Sequence, residues 1–275
     1  MVQFWKMHGL GNDFIVVDNR NGAISEAEMP GLARLLCERH LSVGADGLLL
    51  LSNSAGADLK MLVFNADGSE AEMCGNGIRC FAKYCYENGI VREKELAVET
   101  LAGVKQVWLN VENEAVKAVK VDMGSAEWER SKIPMQGQGT CINEDLRVDK
   151  ENYKVTCLSM GNPHCVIFIE NVDECPVEYV GPLVENHEAF PNRTNVEFVQ
   201  VLGKNELKVR VWERGCGETL ACGTGACAAA VAANRLGKVG NKVKVHLAGG
   251  DLQVDIAQNV FMTGPTEKVF EGKLF

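Results

Sequence analysis

The chain has 275 residues, 28 of them lysine or arginine and 37 aspartate or glutamate, which gives a formal net charge of −9. An acidic chain without a basic block does not suit a nucleic-acid backbone. No apolar run is long enough for a membrane-spanning helix, and the N-terminus does not resemble a secretory signal. Eleven cysteines in such a chain indicate reduced thiols. We therefore expect a cytoplasmic globular protein of about two domains, with no nucleic-acid or membrane partner.

The first half of the chain predicts strands and one short helix. Apolar runs predict strands over 14–17 and 59–64, and a helix over 77–87 follows a glycine-rich loop that contains Cys74. Asn88-Gly89 is a typical helix end.

The second half shows the same succession of elements. Strands are predicted over 166–169, 207–212, 243–247 and 252–256. The helix predicted over 224–236 is small and apolar on every side, so we expect it to be buried. Glycine, serine, proline and glutamine accumulate over 123–139, which indicates a boundary between the two halves.

Three landmarks recur in the same order in both halves, which indicates an internal duplication. They are Gly11-Asn12 and Gly161-Asn162, then Asn65 and Glu213 nine positions before a cysteine, then Cys74-Gly75-Asn76-Gly77 and Cys222-Gly223-Thr224-Gly225. We predict an α+β protein of two pseudo-symmetric domains, each a mostly antiparallel strand layer wrapped around a central helix. The first would comprise 1–122 with Cys74, with the tail 264–275 packed back on it, and the second 123–263 with Cys222.

Each repeated cysteine precedes a helix, where unpaired amides and the helix dipole favour negative charge. We therefore expect lowered pKa values for Cys74 and Cys222, and a site nearby that suits a carboxylate. Two thiols on opposite faces of one carbon would suit inversion, one removing a proton and the other delivering one. We see no motif for a pyridoxal phosphate lysine, a flavin or a nicotinamide. The residues thus favour a cofactor-independent amino acid racemase or epimerase.

Other interpretations of the cysteines stay open at this point. Most of them are expected to be small buried apolar side chains, namely Cys37, Cys80, Cys85, Cys141, Cys157, Cys165, Cys175 and Cys227. A non-catalytic protein with structural zinc is an alternative because Cys74, Cys80 and Cys85 have the spacing of Cys216, Cys222 and Cys227. No C-x-x-C pair supports it, however. A glycine-rich phosphate loop is a further alternative, although the lysine of a P-loop is absent.

Longer segments resemble the motifs of the diaminopimelate epimerase family. The cysteines lie in 73–80 (MCGNGIRC) and 213–225 (ERGCGETLACGTG), and 7–14 (MHGLGNDF), 161–164 (GNPH) and 192–196 (NRTNV) are also similar to the family. The resemblance covers essentially the whole chain. It implies a homodimer without metal or cofactor that interconverts LL- and meso-diaminopimelate, in lysine and peptidoglycan precursor biosynthesis.

The resemblance also implies a role for each matching residue. Cys74 and Cys222 would be the acid–base pair, and backbone donors to the reacting carboxylate would come from Gly75, Asn76, Gly223 and Thr224. The distal amino acid group would be held by Asn12, Asn65, Asn162, Asn195, Glu213 and Arg214. His164 and Glu213 would tune the pKa values of the thiols. Gly47 departs from the family, many members of which carry glutamine there, so one substrate contact is missing or replaced. The same chemistry on another amino acid remains an alternative.

Overall fold

The computed structural model describes residues 2–274, which form mostly β-strands with few helices. In chain order the strands are β1 (Val2–Gly9), β2 (Asn12–Asp18), β3 (Gly47–Ser52), β4 (Leu59–Asn65), β5 (Glu70–Ala71), β6 (Glu95–Thr100), β7 (Gly103–Glu112), β8 (Ala115–Gly124), β9 (Cys141–Val148), β10 (Glu151–Ser159), β11 (Pro163–Phe168), β12 (Asn195–Gly203), β13 (Glu206–Glu213), β14 (Gly217–Thr219), β15 (Lys242–Leu247), β16 (Gly250–Ile256), β17 (Val260–Gly264) and β18 (Glu267–Leu274). The helices are α1 (Met29–Cys37), α2 (Gly75–Glu87), α3 (Val177–Glu185) and α4 (Gly223–Arg235), with a 3-10 turn at Arg130–Lys132.

The described residues divide into two compact units. One contains the chain through Asp122 together with the segment from Thr263 onward, and the other contains Met123–Met262. No helix within residues 2–274 is both long enough and apolar enough to cross a bilayer.

The first unit combines antiparallel and parallel strand pairs. Strand β1 pairs antiparallel with β2 and with β18, β2 pairs parallel with β3, and β3 pairs antiparallel with β4. Strand β4 pairs parallel with β6, which continues antiparallel into β7 and β8. Helix α2 packs against β1, β2, β3, β4 and β7. Its residues 75–85 are all buried. The loop that opens α2 is therefore held by a helix that has little freedom to move.

The second unit also combines antiparallel and parallel strand pairs. Strands β9, β10 and β11 are antiparallel neighbours, β11 pairs parallel with β12, and β12 pairs antiparallel with β13. Strand β13 pairs parallel with β15, whose antiparallel partner is β16. Helix α4 packs against β10, β11, β12, β13, β15 and β16, and its residues 225–233 are all buried. Alanine favours the helical state and leaves room for strands to approach closely.

The predicted helices start slightly too late and end close to the right place. Helix α2 begins at Gly75 rather than Gly77, and α4 begins at Gly223 rather than Thr224. Glycine is a poor helix former, so helix propensity did not predict that the two helices begin at Gly75 and Gly223. Both helices are followed by a glycine in the left-handed region, Gly89 with φ +67° and Gly237 with φ +69°. This conformation is typical of a helix end and rare for residues with a side chain.

Seven of the cysteines expected in the core are buried: Cys37, Cys80, Cys85, Cys141, Cys157, Cys165 and Cys227. Cys175 is only half-buried. The expectation of small apolar side chains is thus confirmed for these seven. Burial also raises the pKa of Cys80 to about 12, so this thiol stays neutral at physiological pH.

Asp13 anchors a cluster of charges at the start of β2. Its carboxylate lies 2.7 Å from Lys6 Nζ and 2.7 Å from Arg39 Nη2. Burial opposes ionisation of Asp13, but the two cations outweigh that effect and lower its pKa to about 2. Lys6 is itself buried, so loss of Asp13 would leave an ammonium without its carboxylate partner in a poorly hydrated place.

We predict that Asp13→Asn lowers the free energy of unfolding at pH 7 by about 3 kcal/mol. A carboxyl with a depressed pKa stabilises the fold above its unfolded value of 3.8 and loses that effect as the pH falls through about 2. The difference between variant and wild type should therefore be constant from pH 7 to about pH 4 and shrink toward pH 2. Urea denaturation across this range measures it. Asp18→Asn, which removes an exposed pair with Arg20, is the control and should cost less than about 1 kcal/mol.

Candidate active site

Cys74 and Cys222 occupy the same local position in their respective units. Each is the N-cap of its helix in an extended conformation, with φ −135° and ψ 118° for Cys74 and φ −116° and ψ 115° for Cys222. The sulfur of Cys74 accepts a hydrogen bond from the Gly77 amide at 3.3 Å, and that of Cys222 accepts one from the Gly225 amide at 3.4 Å. A sulfur that caps a helix lies at the positive end of the helix dipole.

The glycine three positions after each cysteine makes room for this contact. A Cβ atom added at Gly225 would lie 3.3 Å from the sulfur of Cys222 and 2.9 Å from Oε1 of Glu197. One added at Gly77 would lie 3.6 Å from the sulfur of Cys74 and 3.2 Å from the side chain of Leu49. The repeated C-G-x-G pattern thus reflects a steric need at its last position, which is tighter in the second unit.

An amide oxygen faces the sulfur of Cys74. Oδ1 of Asn12 lies 3.7 Å from that sulfur and also accepts a hydrogen bond from Asn76 Nδ2 at 3.2 Å. The Asn12 amide is oriented by Asp46, whose carboxylate accepts from Asn12 Nδ2 at 2.8 Å. Asp46 in turn lies 2.8 Å from Arg39, within the charge cluster around Asp13. The first unit therefore presents an acceptor to its cysteine.

A longer hydrogen-bonded chain reaches Cys222. Its sulfur lies 3.5 Å from Oγ1 of Thr224, which accepts from Asn162 Nδ2 at 3.3 Å. Oδ1 of Asn162 lies 2.9 Å from Nε2 of His164, and Nδ1 of His164 lies 2.7 Å from Oε1 of Glu197. His164 and Glu197 are both fully buried. The second unit thus connects its cysteine, through three intervening groups, to a buried carboxyl.

The expected lowering of the Cys222 pKa is wrong. Burial, and then the negative charges of Glu213 and Glu197, raise the pKa of this thiol well above its ordinary value. Hydrogen bonds from Thr224 and Gly225 act in the opposite direction but are outweighed. The sequence argument included the helix N-terminus, which is present, but not the burial of the thiol or the effect of the two carboxylates that the fold brings close.

Three of the residues expected at the distal end of the substrate, Asn195, Glu213 and Arg214, lie at or beside the start of β12 and the end of β13. Asn195 is buried, where its Nδ2 donates to the Pro163 carbonyl at 2.8 Å and its Oδ1 accepts from the Arg214 amide at 2.9 Å. The exposed guanidinium of Arg214 makes a 3.3 Å bond to the Asn192 carbonyl. Glu213 accepts from Thr219 Oγ1 at 2.5 Å.

Asn65, the remaining residue of this group, is the last residue of β4 and precedes a turn. Its Nδ2 donates to Ser69 Oγ at 2.9 Å, and its backbone closes the loop between β4 and β5. The structure therefore gathers Asn12, Cys74 and Asn76 in the first unit, and in the second Asn162, His164, Cys222 and Thr224. Gly75 and Gly223 lie in the first turns of α2 and α4, where backbone amides lack intrahelical partners.

Sequence reasoning missed two carboxylates, Asp46 and Glu197. A signal for Glu197 was available, because it interrupts the apolar run of β12 between Val196 and Phe198. A charged residue inside a buried strand is rare unless it has a partner. Asp46 gave no comparable signal, since an aspartate beside Gly44 and Ala45 is ordinary in a loop.

The departure at Gly47 has a local steric explanation. A Cβ atom at this position would lie 2.8 Å from the carbonyl oxygen of Phe64 and 3.2 Å from the ring of Phe14. A glutamine therefore does not fit here without movement of the neighbouring strand. Within residues 2–274, no group of three or more histidine, cysteine, aspartate or glutamate side chains is arranged to hold a metal ion.

Comparison with known sequences gives a consistent match. A sequence model of the family described as diaminopimelate epimerase matches residues 4–129 and 156–269. A diaminopimelate epimerase from Moorella thermoacetica is 54% identical over 275 residues, covering 98% of this chain and 98% of the relative. One from Methanococcus maripaludis is 49% identical over 279 residues, covering 99% of each chain.

Solved structures with low sequence identity share the fold. A phenazine biosynthesis protein of the PhzF family from Bacillus anthracis aligns with a TM-score of 0.76 at 19% identity, covering 100% of this chain and 99% of that one. A hydroxyproline epimerase from Agrobacterium vitis, with bound trans-4-hydroxy-L-proline, aligns with a TM-score of 0.73 at 13% identity, covering 98% and 91%. The predicted α+β class is thereby confirmed at the coarse level of a mostly stranded fold with few helices.

We predict that Cys222 is alkylated slowly at neutral pH. Its raised pKa leaves less thiolate at pH 7 than an ordinary thiol has, and the thiolate is the reacting species. Peptide-level mass spectrometry after timed exposure to iodoacetamide, from pH 6 to pH 10, measures the profile. Cys216, which is exposed, is the internal reference. A midpoint for Cys222 at or below that of Cys216 would contradict the prediction, whatever the absolute rates.

Proposed function

The chain belongs to the diaminopimelate epimerase family, and from this premise we propose that it interconverts LL- and meso-diaminopimelate without a cofactor, as a step in lysine and peptidoglycan precursor biosynthesis. The observation that carries the proposal is the pair of cysteines that cap α2 and α4 in matching geometry. Two acid–base groups of the same kind are what inversion at one carbon needs.

In the proposed reaction the two thiols serve opposite faces of the α-carbon. One cysteine, as thiolate, takes the α-proton, and the other, as thiol, delivers its proton to the opposite face. The starting thiolate becomes a thiol and the starting thiol becomes a thiolate, so proton and charge balance over the turnover. The reverse direction exchanges the roles of Cys74 and Cys222.

The carbanion formed between these two transfers needs electrostatic support. Its charge spreads onto the α-carboxylate, and preorganised donors stabilise such charge without reorganisation. We assign this role to the first-turn amides of α2 and α4, at Gly75, Asn76, Gly223 and Thr224. This assignment is supported by the start of both helices at these residues and by the burial of most residues in each helix.

A second amino acid group distinguishes diaminopimelate from simpler substrates. We assign its carboxylate to Arg214, because an exposed guanidinium can form a bidentate ion pair. Its ammonium is assigned to Glu213 and to amide oxygens, with Asn12, Asn65, Asn162 and Asn195 as the contributing amides. His164 and Glu213 are the residues that we propose to tune the pKa values of the thiols. The charge of Glu213 already acts on Cys222.

We further propose that the two units are domains derived by duplication, each with its strands around a central helix. The first would be 1–122 with the tail 264–275 and the second 123–263. Support comes from the matching N-cap cysteines, from the strand pairing around α2 and α4, and from the pairing of β18 with β1. A cytoplasmic homodimer is the proposed state of the protein, on the resemblance of the motifs.

We predict that Cys74→Ala and Cys222→Ala each reduce epimerisation of LL-diaminopimelate by at least about 1,000-fold, since each removes one acid–base group. Incorporation of deuterium at the α-carbon in heavy water, with chiral analysis of the product, measures both steps. Cys175→Ala, at a half-buried cysteine outside the site, is the matched control and should retain wild-type turnover. Full epimerisation by either active-site variant would refute the two-base scheme.

We predict that Arg214→Ala raises KM for diaminopimelate by about 10–100-fold, because a charge-assisted bond to the distal carboxylate is lost. The control is Arg92→Ala, an exposed arginine outside the site, which should leave KM unchanged. Steady-state kinetics with purified LL-diaminopimelate measures KM for both variants and for the wild type. An unchanged KM for Arg214→Ala would favour an amino acid substrate without a second carboxylate.

A further inference from the structure

Glu197 is a carboxyl group with no direct contact to the proposed reaction. It lies on β12 and is fully buried, in a position where an acidic side chain is rare. Its Oε1 lies 2.7 Å from Nδ1 of His164, and its Oε2 has no hydrogen-bond partner among the described residues. Burial raises the pKa of this carboxyl, and the neighbouring Glu213 adds to the effect. A carboxyl in such a place is more stable when it shares a proton than when it is a bare anion.

The partners of His164 determine where its protons lie. Nε2 faces Oδ1 of Asn162, and an amide oxygen can only accept, so Nε2 carries a hydrogen. Nδ1 faces a carboxyl oxygen at 2.7 Å, and two lone pairs at that distance would repel, so a second proton lies between Nδ1 and Glu197. In the more familiar carboxylate–histidine pair, the outer nitrogen is bare and accepts a proton. Here the pair holds both protons and carries no net charge.

This proton arrangement orients the groups that follow. Asn162 turns its oxygen to His164 and therefore its NH2 group to Thr224, at 3.3 Å. Thr224 Oγ1 accepts from Asn162, which leaves its hydroxyl hydrogen to point at the sulfur of Cys222, 3.5 Å away. Every donor in the chain is thus directed toward Cys222. With Asn162 turned over, its oxygen would accept the Thr224 hydrogen and the sulfur would lose that donor.

We propose that Glu197 is a positioning residue: by holding a proton between itself and His164, it fixes the direction of the Asn162–Thr224 chain so that a hydroxyl donor meets the thiolate form of Cys222. The kinetic part of this proposal rests on the proposed epimerase function, whereas the proton arrangement does not. Glu197 touches neither the substrate nor the sulfur. Its effect on Cys222 passes through three hydrogen-bonded groups.

Removal of Glu197 would change the pKa of Cys222 in opposite directions if the residue acts through charge or through positioning. Two carboxyl groups influence the pKa of Cys222, Glu213 at the end of β13 and Glu197 on β12, and His164 on β11 lies between Glu197 and Asn162. If Glu197 acted only through negative charge, its removal would lower the pKa of Cys222. If it acts by positioning, its removal withdraws a donor from the thiolate and raises that pKa.

The test uses Glu197→Met and Glu197→Gln in the full-length protein. Methionine fills the space without a hydrogen bond, whereas glutamine offers an N–H to Nδ1 and so preserves the ring plane and the hydrogen on Nε2. We expect the pH midpoint of Cys222 alkylation to rise in Glu197→Met and to stay near wild type in Glu197→Gln. We expect kcat for epimerisation to fall about tenfold in Glu197→Met with KM within about twofold, and to recover to within about threefold of wild type in Glu197→Gln. A falling or unchanged midpoint in Glu197→Met, or no recovery in Glu197→Gln, overturns the proposal.

Nitrogen-15 NMR of labelled histidine gives a direct second measurement. In wild type both ring nitrogens of His164 should carry or share a proton, and in Glu197→Gln Nε2 should stay protonated while Nδ1 becomes an acceptor. A wild-type His164 with a bare Nε2 overturns the proposal even if neither variant folds.

The matched control is Glu206→Gln. Glu206 begins β13, at the far end of that strand from Glu213, and lies 2.7 Å from Nε2 of a different histidine, His246. This variant should move only the His246 signals and leave kcat unchanged. Lack of epimerisation by the wild-type protein would refute the proposed substrate, while the histidine spectrum and the alkylation midpoint would still decide the role of Glu197.

Discussion

The bond from a backbone amide to the sulfur of an N-capping cysteine is the constraint on which the site depends. It fixes each sulfur at the start of a helix, beside the first-turn amides that we assign to the substrate carboxylate. Because the contact is made to the third residue of the helix, that residue must leave the sulfur space, and both units place a glycine there. A serine cap would make a shorter bond, but its alcohol ionises far less readily than a thiol.

The side chains beside the two N-capping cysteines differ between the units. Asn12 offers an amide oxygen to Cys74 and is oriented by Asp46, a carboxylate within an ion-pair cluster. Thr224 lies against Cys222 and is oriented, through Asn162, by a buried histidine and acid. An acceptor favours the protonated form of a thiol, and a hydroxyl donor favours the thiolate. The groups beside the two sulfurs thus differ in polarity, with an amide oxygen at Cys74 and a hydroxyl group at Cys222.

The sequence predicts the features of the fold and site that depend on residues close together in the chain, and it does not predict those that depend on distant residues. The N-cap cysteines, the helix ends at Gly89 and Gly237, and the apolar helix α4 are set by residues close in sequence, so their positions could be predicted to within two residues. The pKa of Cys222 could not be predicted, because it depends on burial and then on Glu213 and Glu197, which lie on the paired strands β13 and β12. The settings of Asn65 and Asn195 depend likewise on which backbone groups the fold leaves beside them. Asparagine is common in turns, and its type alone does not tell a turn from a ligand contact.

The two helices that carry the cysteines are immobilised by different means. Helix α4 is lined with alanine, so its strands approach closely and nothing polar needs a partner in the core. Helix α2 instead buries two cations, Arg79 and Lys83, whose hydrogen-bond partners include backbone carbonyls. Arg79 donates to the carbonyl of Gly75, the residue directly after Cys74, and to that of Pro265 near the start of β18. A buried guanidinium loses much free energy if one of these acceptors moves away, so it ties the first turn of α2 to a distant part of its unit. Close apolar packing in one unit and directed polar contacts in the other therefore serve the same end, which is a sulfur held at a fixed place on a rigid helix.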